Sequence, residues 1–226
     1  MSSRIDFIMT TWLVFACKTS YAPELAEIIW RRGEQVLAFV DNLGGSVGMQ
    51  GIDTVGLDAI PGYLPSCVVI APTTPGHRFA ALALARSVGC DDFPALVDPT
   101  AVIARTAALN EGTTVNAGVI LGARSQVGRF VCINRSASVG HDAIIGDFVS
   151  LGPGCVLGGH VAVGAGTFVG VGAICAPQVS IGTNATIGAG AVVLRDVPNC
   201  AVVVGNPGRI LRVDETGYGG VNVPMR

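Results

Sequence analysis

From Val97 to Val193 an apolar residue recurs at every sixth position: Val97, Ile103, Leu109, Val115, Leu121, Val127, Ile133, Val139, Ile145, Leu151, Leu157, Val163, Val169, Cys175, Ile181, Ile187 and Val193. The register holds through seventeen hexads, and only Cys175 is not Val, Ile or Leu. The residue after each is mostly Gly, and the fifth place of each hexad is small or β-branched, from Ala101 and Ala107 to Ala191 and Val197. Helices repeat every 3.6 residues and strands every two, so neither accounts for a period of six. A parallel β-helix does: one aliphatic side chain per hexad points into a narrow prism, the fifth residue must fit the same interior, and Gly or Asn permits the corner. Three hexads make one triangular coil, and coils stack because none can bury its apolar face alone.

Upstream the pattern changes. Trp12 to Ala16 is an apolar run fit for a buried parallel strand, and Pro23 to Arg32 carries Leu25, Ile28 and Ile29 at helical spacing, stopped by Gly33. Val36 to Val40 and Cys67 to Ala71 read as further strands, and Arg78 to Val88 as a helix stopped by Gly89. This order predicts a small Rossmann-like α/β unit over residues 12–94, then the prism over 95–213 and a Gly-rich tail over 214–226 without a period. The tail is expected either to pack on a neighbour or to be disordered.

Composition narrows the function. With 50% hydrophobic and 13% charged residues in 226, the chain folds rather than staying disordered, and a net charge of -2 without a basic run argues against nucleic acid. No apolar stretch approaches a membrane span. Arg4 and the apolar run up to Cys17 superficially suggest an exported leader, but a helical pattern follows at once, so a cytoplasmic protein is expected. The seven cysteines are scattered without close pairs, so they are expected reduced.

In a Rossmann-like unit ligands meet the carboxyl ends of the strands. Here those ends are the turn Cys17 to Tyr21, the pair Asp41 and Asn42, and the loop Pro72 to His77. Asp41 either binds a ribose or base or merely opens a turn before Gly44. In the prism, a coil of eighteen residues stacks Ala123, His141 and Gly159 in one column and Arg124, Asp142 and His160 in the next, with strands about 4.8 Å apart. Small neighbours leave the imidazole open, and Arg124 and His160 either hold Asp142 ionised or form an ordinary solvated charge ladder.

The run Ile133-Asn134 through Val139-Gly140-His141-Asp142 to Ile145-Gly146-Asp147-Phe148, and the later Val204-Gly205-Asn206-Pro207-Gly208-Arg209, resemble the hexapeptide-repeat acyltransferases. A Rossmann-like unit followed by such a prism is similar to the group of nucleotide-sugar 4-amino N-acetyltransferases and sialic acid O-acetyltransferases. The resemblance implies a left-handed β-helix and acetyl-CoA-dependent N-acetylation of a nucleotide-linked 4-amino sugar in a homotrimer, with sites at the subunit clefts; no metal is expected, because a metal-dependent anhydrase would want three converging histidines and of His77, His141 and His160 the first lies outside the prism. It makes His141 the general base and Asp142 its partner, and places Asp41, Asn42, Ala71 and Asn134 toward the amino-sugar nucleotide. Ser150, standing where relatives often carry a second histidine, and Val171 and Ala189 fall on the acetyl-CoA side. The first strand here lacks the relatives' Gly-rich turn and offers Lys18, Thr19 and Ser20 instead. An O-acetyltransferase of a sialic-acid-like sugar, an N-acyltransferase of another small amine and a non-catalytic scaffold remain as alternatives.

Overall fold

The computed structural model describes residues 9–44, 49–214 and 216–224. The leader-like reading began at Arg4, outside the described residues.

Five strands and helices of the amino-terminal unit follow the apolar pattern, and one strand does not. Strand β1 (Thr11–Phe15) is an unbroken apolar run, buried from Trp12 on, and helix α1 (Ala22–Arg31) carries Pro in its first turn and buries Leu25, Ile28 and Ile29. Strand β2 (Gln35–Val40) follows. Strand β3 (Asp53–Val55) was not legible, because Asp53 and Thr54 are exposed at the sheet edge and show no apolar alternation. Then come β4 (Cys67–Ile70) and α2 (Pro75–Ser87), which begins ahead of the expected Arg78 because Pro75 suits the first helical turn. The four strands are parallel in the order β3-β2-β1-β4. The crevice beyond the carboxyl end of β1, where the strand order reverses, is the place such sheets offer a ligand.

The hexads form seventeen two-residue strands, β5 (Leu96–Val97) to β21 (Val192–Val193). Each pairs in parallel with its counterpart one coil on, as Cys132 with Ser150 and Ser150 with Phe168. Three faces result. The first holds β5, β8, β11, β14, β17 and β20, extended by β22 (Ala201–Val204) and the antiparallel β23 (Arg209–Val213). The second holds β6 to β21 in steps of three, and the third β7 to β19. The hexad aliphatics from Val115 to Val193 fill the prism, each fully buried side chain contributing about 1.5–3 kcal/mol. Where the fifth place is polar its hydroxyl donates inside, Thr113 to Gly128 O and Thr167 to Gly182 O, so no buried hydroxyl is left unpaired there.

The α/β unit lies on the first face and on the corner between the third and first. Phe130 and Phe148 stack there and meet Phe93 and Phe79 edge-on. Asn116 donates to the Tyr21 hydroxyl, and Arg31 pairs with the buried Asp98 at 2.6 Å. Over its described residues the tail packs on its own prism. Tyr218 stacks on Phe168, and Asn184 exchanges two hydrogen bonds with the backbone of Val223. The seven cysteines are unpaired, and burial pushes the thiols of Cys155 and Cys175 up to about 12. Among the described residues no helix is long and apolar enough to cross a membrane.

Candidate functional site

The corner between the second and third faces gathers the chemistry. Arg124, Asp142 and His160 sit there with left-handed backbone, φ 59°, 57° and 58°. The corner between the first and second faces makes the equivalent turn with Gly118, Gly154, Gly172 and Gly190 and with Ser136, and the third corner with Phe130, Phe148 and Asn184, so left-handed side chains are a feature of the prism and not of this corner alone.

Asp142 is the hub. Arg124 donates to both its oxygens, Nε to Oδ1 at 2.7 Å and Nη2 to Oδ2 at 2.8 Å, and His160 Nε2 stands 3.7 Å from Oδ2. The fork from Arg124, then the hydrogen bond from His141, hold the carboxyl well below the ordinary aspartate range. A carboxylate only accepts, so the 2.7 Å contact to His141 makes Nδ1 the donor and leaves Nε2 with its lone pair free. That is the tautomer a general base needs. The ring is exposed and lies over Gly159, where a Cβ would come within 2.6 Å of Nε2. The column reading is thereby met in space: Arg124 and His160 flank Asp142.

A depressed carboxyl stays ionised above its unfolded pKa of about 3.9, and its ion pair is lost only as the pH falls below that. Arg124→Ala/His160→Ala strips Asp142 of the fork that holds its carboxyl down, so the pH profile of the rate should differ from wild type. Superimposable profiles would reduce the ladder to a solvated one. His141, Asp142 and His160 are also close enough to hold a cation, their ligand atoms lying within 4.8 Å of one another, but an ion there would have to displace Arg124 from Asp142.

A cavity of about 450 Å³ opens at the carboxyl ends of β1, β2 and β4, lined by Lys18, Thr19, Asn42, Pro72, His77 and Ala80 among others. Lys18 donates to Gly44 O, while Thr19 Oγ1 and Asn42 Oδ1 are buried there without a partner. Asn42 thus turns an unpartnered oxygen toward the cavity it lines. Asp41 is placed otherwise: its Oδ1 accepts from the amides of Leu43 and Gly44, opening the turn, and it does not line the cavity. Ala71 is fully buried under the sheet, so its side chain does not face the cavity, and Pro72 lines the wall instead.

The remaining expectations fall on other parts of the prism. Val171 and Ala189 stack on the corner between the first and second faces, both exposed, with open space beside Gly172 and Gly190 for close approach. Asn134 lies on that same corner and accepts from Arg135 N, while Arg135 pairs with Glu24 of α1 at 2.8 Å. Ser150 is buried, accepting from Arg78 and donating to Thr73 O, so its hydroxyl is not free for a thioester as expected. Sequence reasoning missed Arg195, which with Arg209 lines a groove of about 570 Å³ farther along the corner of His141. His141, Val171 and Asn42 therefore lie on one corner, a second corner and the α/β unit.

No family model and no curated protein matches the chain. Solved structures do. Perosamine N-acetyltransferase from Caulobacter crescentus, in complex with CoA and GDP-perosamine, is 32% identical with a TM-score of 0.82, over 90% of this chain and 97% of that one. The acetyltransferase domain of PglB from Neisseria gonorrhoeae, in complex with acetyl coenzyme A, is 27% identical with a TM-score of 0.80, over 89% of this chain and 98% of that one. WeeI from Acinetobacter baumannii, at 23% identity and a TM-score of 0.65 over 90% of this chain and 100% of that one, shares the fold.

Proposed function

Because the chain belongs to the hexapeptide-repeat acetyltransferases, with a left-handed β-helix behind an α/β unit, we propose that it transfers acetyl from acetyl-CoA to the amino group of a nucleotide-linked 4-amino sugar. The observation that carries the reading is the His141–Asp142–Arg124 arrangement, an exposed imidazole on a prism corner whose Nδ1 is committed to Asp142. His141 Nε2 takes the proton of the attacking amine as nitrogen bonds to the thioester carbonyl carbon. As that carbon–sulfur bond breaks, the imidazolium returns the proton to the departing thiolate. Asp142 keeps the ring in its base tautomer and offsets the charge it gains.

Asn42, Thr19 and Lys18 suit the nucleotide, Lys18 as the cation for phosphates that a Gly-rich turn would otherwise cradle. Val171 and Ala189 suit the pantetheine arm, and Arg195 and Arg209 the coenzyme's phosphates. A trimer would unite these parts. The second face presents Val102, Ile120, Val156 and Ile174 in one outward column, 64%, 50%, 41% and 44% exposed, and this face joins the coenzyme corner to the corner of His141. Packing of such faces round a threefold axis buries the column and sets one chain's base beside a neighbour's coenzyme corner.

The test is thiol release from acetyl-CoA with UDP-, dTDP- and GDP-linked 4-amino sugars, free sialic acid and simple amines offered separately. Turnover with one nucleotide sugar is expected. Turnover with sialic acid or a simple amine alone would replace the acceptor, and no coenzyme binding at all would overturn the enzyme reading.

A further inference from the structure

One cation buried among the described residues plays no part in the chemistry above. Arg78, in the first turn of α2, is 2% exposed, and among the described residues no carboxylate pairs with it. Burial weakens its hold on its proton, as expected for a cation removed from water. Every donor of its guanidinium is nevertheless used. Nε donates to Phe130 O at 2.7 Å, and Nη2 to Phe148 O, Val149 O and Ser150 Oγ at 2.8, 3.0 and 2.9 Å, all on the prism. Nη1 donates to Pro72 O and Thr73 O at 2.9 and 3.0 Å, on the loop that walls the acceptor cavity. Ser150 closes the ring by donating to Thr73 O.

Carbonyl dipoles from two parts of the fold thus replace water around one planar cation, and the fork fixes their relative position in a way a flexible contact would not. Other side chains already hold the two parts together by apolar contact, the Phe79, Phe93, Phe130 and Phe148 cluster among them. What Arg78 adds is the setting of the loop 72–74 against the prism wall.

We propose that Arg78, with Ser150, is a positioning residue of the acceptor site, holding the cavity wall at the height on the prism from which the acceptor's amine reaches a neighbour's His141. The inference rests on the acceptor reading given under the proposed function. It also reassigns Ser150 from the donor side to the acceptor side.

The test measures kcat and KM for both substrates, the thermal midpoint, and amide exchange in segment 72–77. Ser150→Ala should lower kcat/KM for the nucleotide sugar about 3- to 10-fold, and Arg78→Lys, whose ammonium cannot reach both sets of carbonyls, about 30-fold or more. The KM for acetyl-CoA should stay within about twofold, and exchange in 72–77 should quicken. A rise confined to the acetyl-CoA KM in Ser150→Ala would overturn the proposal and return Ser150 to the donor side. A lower thermal midpoint with both substrates' constants unchanged would also overturn it, leaving Arg78 a staple. Should Arg78→Lys not fold, Ser150→Ala decides. A wild type that turns over no nucleotide sugar, with exchange in 72–77 still quickened by Ser150→Ala, would fault the acceptor reading and leave the anchoring intact.

Discussion

Alanine in place of His141 is expected to lower kcat by about 10²- to 10⁴-fold while the KM of each substrate moves by less than about threefold. The asymmetry follows from geometry. The imidazole is exposed and its Nδ1 is committed to Asp142, which leaves Nε2 as the nitrogen the side chain offers the substrates, in a proton-transfer role. Loss of an exposed ring over Gly159 removes no core contact, and the thermal midpoint should change little. Glutamine at 141 should do no better than alanine, since an amide accepts a hydrogen bond but not a proton. Steady-state rates with the best nucleotide sugar check this. A kcat within tenfold of wild type would remove His141 from the chemistry.

Two inactive chains should restore each other. His141→Ala lacks the base, and Ala80→Trp fills the cavity that Ala80 lines, so each alone should give about 1% of wild-type turnover or less. In the trimer proposed above, a working cleft takes its base from one chain and its cavity from another, because the base corner is not the part of the prism on which its own α/β unit lies. Random trimers from equal amounts of the two variants contain such clefts in about one case in four, so co-refolded or co-expressed mixtures should recover about a quarter of wild-type activity. Mixtures no better than the mean of their parents would place the whole site within one chain.

The prism was legible because one-dimensional order in space is one-dimensional order along the chain. A period of six predicts which residues stack, and so brought Arg124, Asp142 and His160 together before any coordinates. It does not say which face another part of the fold will cover. That is why Ser150, read as reaching a thioester, proves to be buried against Arg78. The α/β unit was read from apolar runs, which report burial and not side-chain direction; the resemblance put Ala71 toward the ligand although it is fully buried, and Asp41, open between ligand and turn, accepts from the turn amides. Arg78 escaped notice inside an Ala-rich helix. Its spacing to Leu82 and Ala85 puts it on the stripe α2 buries, and a cation on such a stripe was the available signal.

Stacked coils make the molecule a ruler with a fixed graduation. Inserting or deleting residues within the prism without breaking the hexad register can only add or remove whole coils, each about 4.8 Å along the axis. The height of His141 relative to the α/β unit is therefore quantised, far too coarsely for a reacting nitrogen to be brought to its carbonyl. Finer adjustment falls to the groups that seat that unit on the prism wall, and divergence in sugar preference among such chains should concentrate there while the coil count stays constant.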